Sequence, residues 1–169
     1  SISKGYSPTS TDRNLLTGDE SDQTHLLILF TSERGLCGGF NSTVTKALKD
    51  KIKELENNNK NIKIICVGKK GYDILKRQFS EKITEVIDMR AVKSVSYIDA
   101  KNIADKIIKM FFDGDFDVCS IFYNKFKSVI SQIPTEQQVI PVVNDNDNEA
   151  ENEKKDDFFE FEPGESEIL

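Results

Sequence analysis

Two apolar patterns alternate along the chain. His25 to Phe30 is a short, nearly continuous apolar run, the mark of a strand buried on both faces of a parallel sheet, and it predicts a central strand. From Val44 the period changes. Val44, Ala47, Leu48, Ile52 and Leu55 recur at helical spacing while Lys46, Lys49, Lys53 and Glu54 fall on the outer side. Asn41 or Ser42 is placed to cap this helix, and Asn57-Asn58-Asn59 to end it. Ile62 to Val67, interrupted by Lys63, predicts a second buried strand. The turn Gly68-Lys69-Lys70-Gly71 then leads into a short helix carrying Tyr72, Leu75 and Phe79.

Ile83 to Ile87 predicts a third strand, and Asp88 to Val95 an irregular connection. Ser96 and Asp99 resemble a capping box for a helix with Ile103, Ala104, Ile107, Ile108 and Phe111 on one side, stopped by Gly114. Phe116 to Tyr123 follows as a strand, and Val129 to Val143 as extended segments broken at Pro134 and Pro141. The short Asn124-Lys125-Phe126 connection favours an antiparallel return, because a parallel crossover needs about a dozen residues or more. Tyr72, Phe79, Phe111, Phe112, Phe116, Phe122 and Tyr123 sit at core-like positions. The order of elements predicts an α/β fold in three layers, its sheet mostly parallel with an antiparallel edge strand.

The flanks differ in character. Residues 1–23, rich in Ser, Thr, Asp and Gly, lack periodicity and read as a flexible N-terminal arm before an α/β domain over 24–143. Asn144 to Asp157 is an Asn/Asp/Glu run that cannot offset its ordering entropy, hence an acidic flexible loop. Phe158, Phe159 and Phe161 resume apolar character and predict a final strand ending at Pro163-Gly164, with Glu165 to Leu169 opening a further element.

Charge sharpens the picture of partners. The net charge of −6 is uneven: residues 144–169 hold eleven acids and two lysines, net −9, leaving eighteen acids against twenty-one bases, net +3, for residues 1–143. So small an excess does not make a nucleic-acid footprint, which needs clustered Lys/Arg on a clearly basic domain. Cys37, Cys66 and Cys119 are odd in number and show no CxxC or Cys/His spacing, which argues against a disulfide scaffold or a zinc site. The apolar runs fall far short of the ~20 residues of a membrane-spanning helix. Ser1 to Asp22 lacks the pattern of a secretory signal, and without an initiator Met the sequence reads as a piece of something longer.

The stretch Thr31-Ser32-Glu33-Arg34-Gly35-Leu36-Cys37-Gly38-Gly39-Phe40-Asn41 lies between the first strand and the first helix. Open α/β sheets bind ligands there, since a glycine-rich helix N-terminus lets backbone N–H groups approach an anion. The spacing of Gly35, Gly38 and Gly39 makes neither GxGxxG nor GxxxxGK[ST], and no Lys follows to reach a phosphate. The structural reading is that these glycines permit positive φ and close helix-to-strand packing, with Arg34 bonding a carboxylate or carbonyl. Cys37 as an activated thiol would need a base. The only histidine, His25, precedes the strand that Cys37 follows, which places the two at opposite ends of the sheet. The acids Glu33, Asp88 and Asp99 have no spacing that forces them into one pocket, and the acidic tail lacks EF-hand register, so no metal is expected. Lys69, Lys70, Lys76 and Arg77 form a basic cluster that reads as a solvated face, or as contact for an acidic partner.

TSERGLCGGFN over Thr31 to Asn41 closely resembles the SDRGLCGGFN signature of F-type ATP synthase gamma subunits. Further resemblances follow in order: Val67 to Gly71 to the family's IGKKG turn, Tyr123 to Phe126 to its Y-x-K-F strand end, and Phe159 to Pro163 to its Y-x-F-E-P segment. The resemblance covers about residues 14–169. It implies a Rossmann-like domain inserted between two long coiled-coil helices that are missing here, with Glu165 to Leu169 as the truncated start of the second. It implies a rotor subunit without catalytic site or cofactor, which couples proton flow through the membrane ring to ATP synthesis. Its partners would be the α and β subunits through the missing helices, and an epsilon-type subunit and the c-ring through this domain. Its place would be peripheral, on the cytoplasmic side of a bacterial inner membrane or the matrix side of the mitochondrial one. Under that implication Glu33, Arg34, Gly35, Leu36, Cys37, Gly38, Gly39, Phe40 and Asn41 form a structural signature, with Glu33 in place of the usual Asp. The acidic Asn144 to Asp157 insertion is longer than the family needs, and the paired-Cys insert of redox-controlled chloroplast members is lacking. Two other readings remain open: a small nucleotide- or phosphate-binding enzyme using the Gly35 to Asn41 loop, and a generic interaction domain using the acidic loop.

Overall fold

The computed structural model describes residues 13–33, 38–90, 97–128 and 130–143. Along them the elements run β1 (Thr24–Phe30), α1 (Gly38–Asn57), β2 (Asn61–Val67), α2 (Lys69–Phe79), β3 (Ile83–Ile87), α3 (Tyr97–Phe112), β4 (Val118–Ser128) and β5 (Ser131–Ile140). The sheet order is β3-β2-β1-β4-β5. β3, β2, β1 and β4 are parallel, and β5 pairs antiparallel on β4. The chain thus steps outward from β1 to β2 and β3, then returns across the sheet to place β4 on the other side of β1.

β1 is central because its sequence leaves no face for water. Leu26, Leu27, Ile28 and Leu29 are all fully buried, each worth about 1.5–3 kcal/mol of transfer free energy. Alternation splits them between two cores. Leu27 and Leu29 pack with Val44, Leu48, Ile52, Ile64, Leu75 and Phe122 beneath α1 and α2. Leu26 and Ile28 pack with Ile65, Ile107, Phe111, Cys119, Ile121 and Tyr123 beneath α3. The expected three-layer α/β architecture, mostly parallel with an antiparallel edge, is therefore the observed one. α3 ends as expected at Gly114, whose φ of +83° is open to glycine at little cost.

Three local expectations give way to tertiary pairing. Asn124 to Phe126 is not a turn but part of β4, which continues to Ser128 as a ribbon with β5, beyond the last pairing of β1 at Phe122. Its apolar residues Phe126 and Ile130 remain largely exposed. Pro134 does not break the following segment: it lies inside β5 opposite Asn124, on an edge strand where a missing N–H costs no ladder bond. Asn41 is not a cap but a buried residue within α1. The part of the predicted arm that the structure describes, residues 13–23, contains turns and a buried Arg13. Residues 1–12, the cap residue Ser96, the acidic run 144–157 and the strand expected at Phe158 to Phe161 lie outside the described residues.

His25 opens β1 almost fully buried. Its Nε2 donates to the carbonyl of Asp22 at 2.9 Å, which leaves Nδ1 as the bare nitrogen, buried without a partner. Burial holds the imidazole pKa below its ordinary value, helped by the nearby Lys51 and Lys60. The depressed pKa means that the unfolded chain takes up the proton first. Stability is then full above the ordinary imidazole pKa of 6.5 and falls as the pH drops through that value towards the folded pKa. Urea unfolding at pH 7 and pH 5 should show a larger loss for the native chain than for His25→Gln. Equal losses would mean that the imidazole takes up its proton alike in the folded and unfolded chain.

Candidate functional site

At the carboxyl ends of β1, β2 and β3 the chain lays one turn directly upon another. The Thr31 amide bonds the Val67 carbonyl at 3.1 Å, and the Gly68 amide bonds Ile87 at 2.8 Å. The Thr31 hydroxyl accepts the Gly71 amide at 3.0 Å. This stacking explains which glycines are needed. Gly68 has φ +113°, and a Cβ there would stand 2.7 Å from the Thr31 carbonyl oxygen. At Gly71 a Cβ would meet Leu29 Cδ2 at 2.8 Å. Both glycines exist because the backbone after β1 crosses the start of α2 at contact distance.

Glu33 completes the junction. Its Oε1 accepts from the Lys69 and Lys70 amides at 3.0 and 3.3 Å, and its Oε2 from the Met89 amide at 3.3 Å. A carboxylate at this point satisfies the first N–H groups of α2, which no residue of that helix can reach, and meets the positive end of its dipole. One side chain after β1 thereby ties α2 to the end of β3. Beside it Arg90 clamps Asp88 through Nε and a second guanidinium nitrogen. The side-chain bonds to Arg90, then the Arg90 amide, push the Asp88 pKa down to about 2.

The second half of the signature is anchored by amides. Asn41 Oδ1 accepts the Ser32 amide and its Nδ2 donates to the Ser32 carbonyl, both at 3.0 Å, so the side chain imitates a neighbouring strand residue. Asn124, on β4, donates Nδ2 to the Phe40 carbonyl at 2.9 Å. These bonds stitch the start of α1 to the strand before it and to the strand across the switch between β1 and β4. Gly38 and Gly39 differ from expectation: neither has positive φ, and nothing lies within 4 Å of where a Cβ would be. The close packing predicted for them is found instead at Gly68 and Gly71. Arg34, Gly35, Leu36 and Cys37 lie outside the described residues, as does any Glu33–Arg34 brace.

The basic cluster lies on α2. Lys69 and Lys76 both reach Asp73, at 3.0 and 3.4 Å, and Lys76 also sits over the Tyr72 ring at 5.6 Å. Lys70 and Arg77 are exposed. Half of this cluster is thus already answered by an acid on its own helix. Cys66 and Cys119 are buried, and burial alone raises both thiols, Cys66 to about 12. His25 stands at the opposite, amino end of the sheet from the glycine-rich stretch. Among the described residues no helix is long and apolar enough to cross a membrane. Sequence reading missed the roles of Thr31, Gly68, Gly71 and Asn124 and the partners of Glu33, because each contact joins segments at least thirty-six residues apart, where no period signals it.

A five-stranded, mostly parallel sheet with α1 and α2 on one face and α3 on the other defines a doubly wound α/β domain. Comparison with known proteins gives it a family: residues 2–169 match the family described as ATP synthase, and the chain belongs to that family. It is 48% identical over 155 residues to the ATP synthase gamma chain of Sinorhizobium medicae, covering 92% of this chain and 52% of that one. It is 46% identical over 168 residues to the gamma chain of Pelagibacter ubique, covering 99% and 57%. The chain therefore spans a little over half the length of these curated relatives. Its fold is similar to a chain in the central stalk and c-ring structure of Tetrahymena thermophila mitochondrial ATP synthase, with TM-score 0.59 and 26% identity over 82% of this chain and 57% of that chain.

Two substitutions test the junction. Glu33→Ala should lower unfolding stability by about 0.5–2 kcal/mol in urea titration, as loss of a helix cap does, with Glu33→Gln retaining part of it. Unchanged midpoints for both would show that the carboxylate is dispensable. Gly68→Ala should cost about 2–3 kcal/mol, since it adds a methyl group where the backbone is strained for any other residue. A midpoint within error of the native chain would show that Thr31 gives way.

Proposed function

We propose that this chain is the globular domain of the gamma subunit of a proton-translocating ATP synthase, the rotor of its central stalk. Its work is coupling: it binds partner subunits so that proton flow through the membrane ring drives ATP synthesis elsewhere in the complex, with no catalytic site of its own. The observation that carries this reading is the family match over residues 2–169, supported by gamma chains at 46–48% identity and by a central-stalk structure of similar fold.

The geometry supports the same reading. The helix terminus at which a doubly wound fold offers N–H groups to an anion is occupied at α2 by Glu33. The projecting β4–β5 ribbon exposes Phe126 and Ile130, apolar surface of the kind that protein partners cover. The partners in this proposal are an epsilon-type subunit and the c-ring for this domain, and the α and β subunits for the longer protein. Lys69, Lys70, Lys76 and Arg77 are offered as contact residues, and residues 33–41 as the structural signature. The domain then lies peripherally, on the cytoplasmic side of a bacterial inner membrane or the matrix side of a mitochondrial one.

The test is an affinity pull-down of the tagged full-length gene product from its own cells, with mass spectrometry of what accompanies it. Recovery of α, β and epsilon-type subunits is the expected result. A clean preparation lacking all three overturns the proposal and returns attention to the glycine-rich stretch as a ligand site.

A further inference from the structure

At the amino end of the sheet, opposite the signature, an arginine far from any recognised motif is almost wholly enclosed. Arg13 has 3% of its side chain exposed. Its guanidinium donates to the Phe116 carbonyl at 2.8 Å and to Asp117 Oδ1 at 2.9 Å, lies 3.4 Å from Asp19, and stacks 4.4 Å above the centroid of the Phe111 ring. Asp117 is shared: its Oδ2 also accepts the Thr24 amide at 2.9 Å and the Ser21 hydroxyl at 3.1 Å. One ion pair therefore holds the segment before β1, the start of β1 and the start of β4. All of these polar contacts run through one terminal nitrogen, and the buried Nε has no hydrogen-bond partner, so enclosing the charge is costly unless Asp117 and the Phe116 carbonyl stay in place.

The segment leaving β5 is fastened to the same point. The Val142 amide donates to the Leu15 carbonyl at 3.3 Å, and Gly18 lies against the Pro141 ring, 3.3 Å from the position of a Cβ. Leu15 itself packs into the core beneath α3. Residues 13–18 and 141–143, some 125 positions apart, thus lie side by side.

Resting on the rotor reading, we propose that Arg13 is a positioning residue for coupling. With Asp117 it clamps the entering segment to the sheet and, through Leu15, to the segment after β5, so that torque passes between the preceding chain and the domain as through one body. The clamp governs transmission rather than assembly. Arg13→Met removes the guanidinium but keeps an unbranched apolar stem over Phe111.

The experiment uses the full-length subunit in its complete complex in membrane vesicles, measuring ATP hydrolysis and ATP-driven proton pumping, with amide hydrogen exchange on the same preparation. In Arg13→Met, hydrolysis should stay within about twofold of the native complex while pumping per ATP falls at least threefold. The Val142 amide should exchange at least tenfold faster, with Leu27 and Ile121 in the core unchanged. Arg13→Lys, which keeps a charge for Asp117, should lie between. Normal pumping, or a loss that merely tracks faster exchange at Leu27 and Ile121, overturns the clamp and leaves Arg13 a stability residue. If the native chain fails to co-purify with the complex, it is the rotor reading that falls; native assembly with a fully coupled Arg13→Met complex refutes the clamp alone.

Discussion

A strand with four consecutive fully buried side chains, Leu26 to Leu29, has neither a face nor an edge that water can reach. Every other feature of the fold answers that constraint. Its backbone groups must be paired on both sides, by β2 and β4. Its alternating side chains must be covered twice, by α1 and α2 on one face and α3 on the other. A chain that builds β2 and β3 to one side and then crosses to build β4 on the other satisfies both demands. The same crossing creates a switch in strand order beside β1, the place where such sheets usually open to a ligand.

At that end the described segments are bonded to one another. Glu33 reaches three backbone amides on two other segments, Asn41 pairs with Ser32 as a strand would, and Asn124 ties β4 to Phe40. The first N–H groups of α2, which such a fold can offer to an anion, here meet Glu33. The opposite end is joined as firmly, around Asp117 and Arg13.

The membership in the ATP synthase family fits a body of this kind, and so does the distribution of exposed apolar surface. The core is closed, with its cysteines inert and its one histidine buried at an end. Among the described residues the exposed large apolar side chains are Phe126, Ile130 and Ile133 on the ribbon beyond the sheet, with Leu16 and Ile108 elsewhere.

Much of the architecture could be read from residue patterns, because periodicity is a local property. The run at Leu26 to Leu29, the helical spacing from Val44 to Leu55 and the stop at Gly114 each announce their element and the α/β order follows from their succession. The ordered signatures likewise identified the family. Contacts between distant segments leave no such trace. No local pattern shows that Asn41 pairs with Ser32, that Pro134 rides on a sheet edge, or that Glu33 bonds the amides of Lys69, Lys70 and Met89. Arg13 lay in a stretch that composition marked as an arm, and only the arrival of Phe111 and Asp117 from the far end of the domain makes burying it favourable. By itself the sequence determined the order of the helices and parallel strands and which strand is central, since apolar spacing suffices for that. Tertiary structure alone decided which polar groups meet, because a hydrogen bond depends on ångström distances between residues that the chain keeps far apart.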